Sequence, residues 1–182
     1  DISQTMRLLS LSADLKIKSA AYVLGFLYIN SDIEKAIHYL SIAAIQNHMK
    51  AQYNLGHAYI QIGDVENAIH YFELASKHEE NSIFKIESLY ILGVLYYKIG
   101  KFNKSIEYLN LAANFNHPNA LHELGIFFLE GKVENKYINE SLRYLIRSAK
   151  LNCSEAKRVL GVIYYEGKYI ERNINKAIKY LK

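Results

Sequence analysis

Residues 51–75 read AQYNLGHAYIQIGDVENAIHYFELA, and this stretch decides the fold. From Ala51 to Ile60 the small and apolar side chains fall at Ala51, Leu55, Gly56, Ala58, Tyr59 and Ile60. Steps of three and four residues dominate, the period of an amphipathic helix. Gly63 permits a left-handed turn, and Asp64 is placed to cap a second helix. Val65, Ala68, Ile69, Phe72 and Ala75 then repeat the spacing. Gly56 and Ala68 lack bulk where the two helices must approach, and Tyr59 and Phe72 fill the space around them. Two helices this short cannot bury their apolar faces alone, so the unit needs neighbours.

The neighbours are in the sequence. Units open at Ala20, Ala51, Ser88, Ala120 and Ala156, with periods between 31 and 37 residues. Each carries a Leu-Gly pair (Leu24–Gly25, Leu55–Gly56, Leu92–Gly93, Leu124–Gly125, Leu160–Gly161) and an aromatic three residues later. From that aromatic to the small residue of the second helix is 8 or 9 residues in the first three units and 13 in the last two. There the segments 130–140 and 166–176 form longer turns. Residues 1–19 match the second helix of a unit, Asp1–Ile2 corresponding to Asp32–Ile33 and Asp64–Val65. The expected organisation is one array: 1–19 an orphan second helix, 20–50, 51–87, 88–119 and 120–155 full repeats, and 156–182 a truncated one. Both ends fall inside units, so the chain reads as a fragment, and terminal helices with uncovered apolar faces are expected.

Bulk properties fit this. Of the 182 residues 51% are hydrophobic and 22% charged, an ordinary folded composition. The single proline suits a nearly all-helical chain. Net charge is +4, with lysines interleaved among glutamates rather than clustered. That argues against nucleic acid as the partner. No apolar run approaches the roughly 18–20 residues of a membrane span, and no signal peptide is visible. One cysteine, Cys153, cannot form an internal disulfide. This leans toward a reducing compartment such as the cytoplasm and leaves exported or lumenal locations open.

These motifs resemble the tetratricopeptide repeat superfamily across essentially the whole chain. Leu55–Gly56, Tyr59, Gly63, Ala68, Phe72 and Ala75 fall at its L-G, Y, G, A, F, A spacing. The fourth and fifth units resemble the Sel-one-like branch, with Tyr164, Gly167, Ile170, Asn173, Lys176 and Ala177 at its turn spacing. So do the junctions Ala43–Ala44, Asn47, His48, Ala51 and Ala112–Ala113, Asn116, His117, Ala120. Asn replaces Gly at a left-handed helix end, the substitution such a site tolerates best. The second glycine of the longer turn is missing (Lys132, Tyr169), and the first three units have the shorter turn of ordinary tetratricopeptide repeats. The resemblance implies an all-α, right-handed superhelical solenoid of antiparallel helix-turn-helix repeats. Its first helices line a concave groove, and members act as scaffolds and adaptors for proteins or peptides.

If the first helices line a groove, the residues two before each Leu-Gly face inward, followed by those one turn on and beyond. The candidate partner-binding residues are Tyr22, Phe26, Tyr53, His57, Gln61, Tyr90, Tyr97, His122, Arg158 and Tyr165. An aromatic ladder with polar tips suits an extended peptide or a helix. The alternative for each tyrosine is packing between adjacent first helices. Lys50 and Asn54 fit part of a carboxylate clamp for chaperone tails, but Tyr22, Phe26, Glu87 and Ile91 stand where its other polar residues belong. His38 and His70 share a position with Glu107, Arg143 and Lys179, a solvated outer face. His48, His117 and Cys153 align in the inter-unit turn, where a structural role is expected. His122–Glu123 lacks a second histidine four residues on, so no zinc-protease helix is present. Residues 78–81, in the irregular junction between Ala75 and Ser88, read more readily as a helix extension than as a contact loop, with Asn81 or Ser82 capping an early start. No catalytic, cofactor or metal constellation stands out. The expected function is a non-enzymatic interaction scaffold, with a spacer or self-assembling repeat segment as the alternative.

Overall fold

A helix begins where its first free amides find an acceptor, and in this computed structural model most helices do so through one side chain. Residues 2–130 and 135–182 are described. Among them lie eleven helices: α1 Ile2–Asp14, α2 Lys18–Tyr28, α3 Ile33–Ile45, α4 Met49–Gln61, α5 Val65–Ser76, α6 Ile83–Lys98, α7 Phe102–Asn114, α8 Pro118–Glu130, α9 Asn135–Lys150, α10 Ser154–Glu166 and α11 Ile174–Leu181. Asp32 and Asp64 accept from the amides of Lys35 and Asn67, each at 3.0 Å, at the starts of α3 and α5. Asn173 accepts from Lys176 at 2.9 Å at the start of α11. His48 and His117 do the same through Nδ1, from Ala51 and Ala120, both at 3.1 Å. The aligned Cys153 is the N-cap residue of α10 and makes no such bond.

The inter-unit turns use the left-handed region. Asn47 and Asn116 have φ of 57° and 60°, as their motif predicts, and Lys16 and Asn152 follow at 59° and 64°. His48 N–H closes the end of α3 onto the carbonyl of Ala43 at 3.2 Å, and His117 N–H does so onto Ala112, also at 3.2 Å. Within hairpins Gly63, Gly100 and Gly167 take positive φ. The long turn after α10 is folded on itself, with Asn173 N–H donating to Tyr164 O at 2.9 Å. The corresponding turn after α8 contains Gly131 and Lys132, which lie outside the described residues, as does Asp1.

Packing inside the hairpins is repetitive. The Leu-Gly glycine admits a large side chain from the second helix: Gly25 faces Leu40, Gly56 faces Phe72, Gly125 faces Leu145 and Gly161 faces Leu181. Beside it two rings stack nearly parallel: Tyr28 on Tyr39, Tyr59 on Tyr71, Tyr96 on Tyr108, Phe128 on Tyr144 and Tyr164 on Tyr180, with centroids 5.4–6.0 Å apart. The architecture is therefore all-α, built of consecutive helix-turn-helix repeats. The chain forms two compact units, Asp1–Leu95 and Tyr96–Lys182. The first has a core of Ala13, Ala21, Leu24, Leu40, Ala43, Ala44, Ala51 and Leu55. The second is centred on Leu145, Ala156, Leu160, Ile163 and Tyr164.

One local expectation fails. Residues 77–82 do not extend a helix; they form a turn and a bend between α5 and α6. Side chains hold this path: Gln52 Oε1 and His78 Nε2 are 2.8 Å apart, and Lys85 Nζ donates to His78 O at 2.7 Å. The early start of α6 is present, Ser82 Oγ accepting from Lys85 N at 3.3 Å.

Candidate functional site

In the first unit, the first-helix positions carry a line of rings. Tyr22 and Phe26 on α2 have centroids 6.2 Å apart, and Tyr22 stacks on His48 at 4.6 Å. On α4, Tyr53 meets His57 edge-on at 4.6 Å and reaches the buried ring of Phe72 at 5.9 Å. It also meets Phe84 of α6 at 5.3 Å, whose face carries Lys50 Nζ at 5.4 Å. Tyr53 thus packs between α4 and α6 while staying half exposed. Phe26 and Gln61 are exposed, and Tyr90 is half-buried with partners of its own. Phe84 was not singled out by sequence, because it lies in the extra turn of α6, ahead of the Leu92–Gly93 register. The long spacing from Ala75 to Ser88 was the one available signal.

Burial sets the ionisation of this face. Desolvation pushes the Tyr53 hydroxyl up, with the Glu87 carboxylate adding to it. Desolvation pulls His57 down, with Glu87 opposing. His48 is also held below the ordinary imidazole range, first by burial and then by Lys18 and Lys50. Its Nδ1 must stay unprotonated to cap α4. As pH falls from about 7 to about 5, the unfolded chain takes up a proton that the folded state resists, so stability drops. His48→Asn keeps a good cap and removes that titration. Thermal melts across this range should show a shallower fall for His48→Asn than for the wild type, with His57 contributing to the slope that remains.

In the second unit, Tyr97 at the end of α6, Phe102 at the start of α7 and Phe127 on α8 form a triangle. The centroid distances are 5.5, 6.4 and 6.4 Å. His122 Nδ1 lies 3.5 Å from Glu123. Arg158 is exposed and lines a cleft of about 430 Å³ with Lys157, Tyr180 and Lys182. Tyr165 is 56% exposed, with the guanidinium of Arg172 5.2 Å from its centroid. Cys153 is buried, its Sγ 3.5 Å from Glu155 Oε2. That carboxylate is held low by its own backbone amide first, then by the thiol.

The structure gathers the candidates as two local sets, Tyr22 with Phe26 and Tyr53 with His57, while Tyr97 joins Phe102 and Phe127. The clamp pair is engaged otherwise, Lys50 over Phe84 and Asn54 buried. His38 and His70 are exposed, edge-on to Tyr39 and Tyr71. Among the described residues no three His, Cys, Asp or Glu side chains converge as a metal site would require. No helix among them is long and apolar enough to cross a membrane.

The tetratricopeptide repeat model matches residues 50–80 and 86–116. The Sel1 repeat model matches residues 19–48, 118–153 and 154–182, just over half the chain. The repeat at 20–50 thus matches Sel1 despite its short turn, the turn of an ordinary tetratricopeptide repeat. A comparison with curated proteins finds no match. Among solved structures, the chain is similar to c5321, a protective antigen of uropathogenic Escherichia coli strains with an SLR fold. The identity is 25%, the TM-score 0.77, and 99% of this chain aligns with 40% of that one, so it spans two fifths of the antigen. A Sel1 repeat protein from Oxalobacter formigenes matches at 21% identity and TM-score 0.73, over 99% of this chain and 77% of that one. YrrB, a tetratricopeptide protein with an unusual peptide-binding site, matches at 19% identity and TM-score 0.66, over 94% and 90%. With Sel1 segments on both sides of two tetratricopeptide segments inside one helical-repeat fold, the chain belongs to the Sel1 repeat family of the tetratricopeptide-like superfamily.

Proposed function

We propose that this chain is a non-enzymatic scaffold that binds a peptide or protein segment against the aromatic faces of its first helices. The observation that carries this reading is the partly exposed ring surface. Phe26, Tyr97 and Tyr165 are 54%, 47% and 56% exposed, Tyr22 stands half-buried beside Phe26, and Tyr53 half-buried beside His57. Large parts of these rings remain in water after their packing contacts are made, and aromatic anchors of this kind dominate binding energy at interfaces. The peptide-binding site named for YrrB supports the same reading by likeness of fold.

Tyr53 is a poor probe of it, because removing its ring also removes packing against Phe72 and Phe84. The exposed rings are better. Random peptides displayed on phage and selected on the full chain should yield binders. Their affinity should fall about tenfold or more in the combined variant Phe26→Ala, Tyr97→Ala, Tyr165→Ala.

A second reading is a repeat segment that stacks on further repeats or on copies of itself. It is favoured by α1, where Leu8 and Leu11 are 60% and 53% exposed, and by Leu15 just after it, 77% exposed. Light scattering that rises with concentration would support it, and a strict monomer would count against self-assembly.

A further inference from the structure

The hairpin of α6 and α7 departs from the repeat in one direction. The cap position before the second helix holds Asp32, Asp64 and Asn173 in three other hairpins. Here it holds Lys101, which makes no side-chain cap bond. The next position is aliphatic in those hairpins, Ile33, Val65 and Ile174, and here it is Phe102, 50% exposed. Both changes work against local stability: one gives up a cap, the other leaves a large ring in water. Phe102 gains ring contacts with Tyr97 and Phe127, yet half of it stays in water and the cap is lost, and a place where local rules are broken in this way is where function is expected.

Charge points the same way. Between Glu87 and Glu107 the chain has Lys98, Lys101 and Lys104 and no carboxylate. All three lysines are exposed. Glu130, one turn beyond Phe127 on α8, leaves the balance positive. Lys98 directly follows Tyr97 and Lys101 directly precedes Phe102 in the chain, and Lys101 and Lys104 line, with Phe102, a shallow cleft of about 390 Å³, the Lys104 ammonium lying 5.0 Å over the Tyr96 ring. Ile99, 42% exposed, extends the apolar rim. Rings provide the contact area, and the surrounding ammonium groups select the sign of what docks.

We propose that this edge of the second unit docks an acidic peptide segment carrying one aromatic or leucine anchor. The anchor sits against Phe102 and Tyr97, and carboxylates on either side face Lys98, Lys101 and Lys104. Three lysines are too few for the phosphate contacts that make a nucleic-acid site, and a short apolar triangle matches one side chain better than a lipid surface. The proposal rests on the scaffold reading above and specifies its partner chemistry.

The test uses the full chain and the phage-selected peptides, resynthesised with a fluorophore for anisotropy. The expected result is a selected set with Asp or Glu beside an aromatic or leucine. Affinity falls about tenfold in Phe102→Ala, about tenfold in Lys101→Asp, and further as salt is raised. Lys101→Asp installs the cap that Asp32 and Asp64 supply, so that variant stays folded and isolates the charge. Peptides of other composition, or acidic peptides that lose affinity only in the triple first-helix variant, would overturn this inference and leave the scaffold reading standing. No selected peptide at all would sink both. Oligouridylate or phosphatidylserine vesicles bound through Lys101, with no acidic peptide selected, would also overturn it.

Discussion

Phe72→Ala is expected to lower the stability of the first unit by about 4 kcal/mol, the usual cost of deleting a fully enclosed phenylalanine ring. Phe72 is 0% exposed. Its ring occupies the gap left by Gly56, whose absent Cβ would lie 2.9 Å from it, and meets His57 edge-on at 5.1 Å. With alanine there, neither Gly56 nor the ring of Tyr53 can close the void, because both belong to helices fixed by other contacts. A whole domain is stabilised by only about 5–15 kcal/mol, so the loss is a large part of the total. Urea unfolding followed by far-ultraviolet circular dichroism should show the change as an early transition of the first unit, since repeat arrays need not unfold as one. A midpoint within the error of the wild type would mean that Phe72 is not the keystone of its hairpin.

The second large effect concerns a single methyl group. In Gly25→Ala the new Cβ would stand 2.6 Å from Leu40 Cγ and 2.9 Å from the backbone nitrogen of Leu40. Leu40 is 0% exposed and has no space to turn, and a backbone atom cannot move without its helix. The α2–α3 hairpin must open, at about 3 kcal/mol, against the roughly 1 kcal/mol that alanine gains over glycine inside a helix. Gly161→Ala is the control. Its Cβ would also collide, at 2.5 Å, but only with side-chain atoms of Leu181, which is 56% exposed at the end of α11. That side chain can swing into water, so Gly161→Ala should be neutral or slightly stabilising. Equal melting losses for the two variants would contradict the close-packing account of the Leu-Gly pairs.

These two residues also mark how much of the fold was legible in the sequence. Leu-Gly, the aromatic three residues on and the small residue of the second helix are packing requirements, and five near-copies make each one readable from the others. Asn47 and Asn116 could be assigned left-handed conformations for the same reason: the backbone demands something there that few side chains tolerate. Lys16 adopts the same conformation with nothing in its own chemistry to announce it.

The candidate site was less legible, because the repeat leaves it free. Periodicity places Tyr53 on a first-helix face, but it cannot say how far Phe84 from the next first helix will lean over it. The path of residues 77–82 depends on Gln52, more than twenty residues earlier, and no local propensity carries that information. Phe102 and Phe127 belong to different repeats, neither at a motif position. Their meeting with Tyr97 exists only once α6, α7 and α8 are packed. Positions of this kind must be read from tertiary contacts.

The most direct measurement of the scaffold claim is the affinity of a phage-selected peptide for the wild-type chain and for the variant Phe26→Ala, Tyr97→Ala, Tyr165→Ala, with melting curves taken on both. The account predicts a loss of about tenfold or more with nearly unchanged melting, because all three rings are about half in water already. Undiminished affinity in the folded variant would contradict it and move the binding surface away from the aromatic first-helix face.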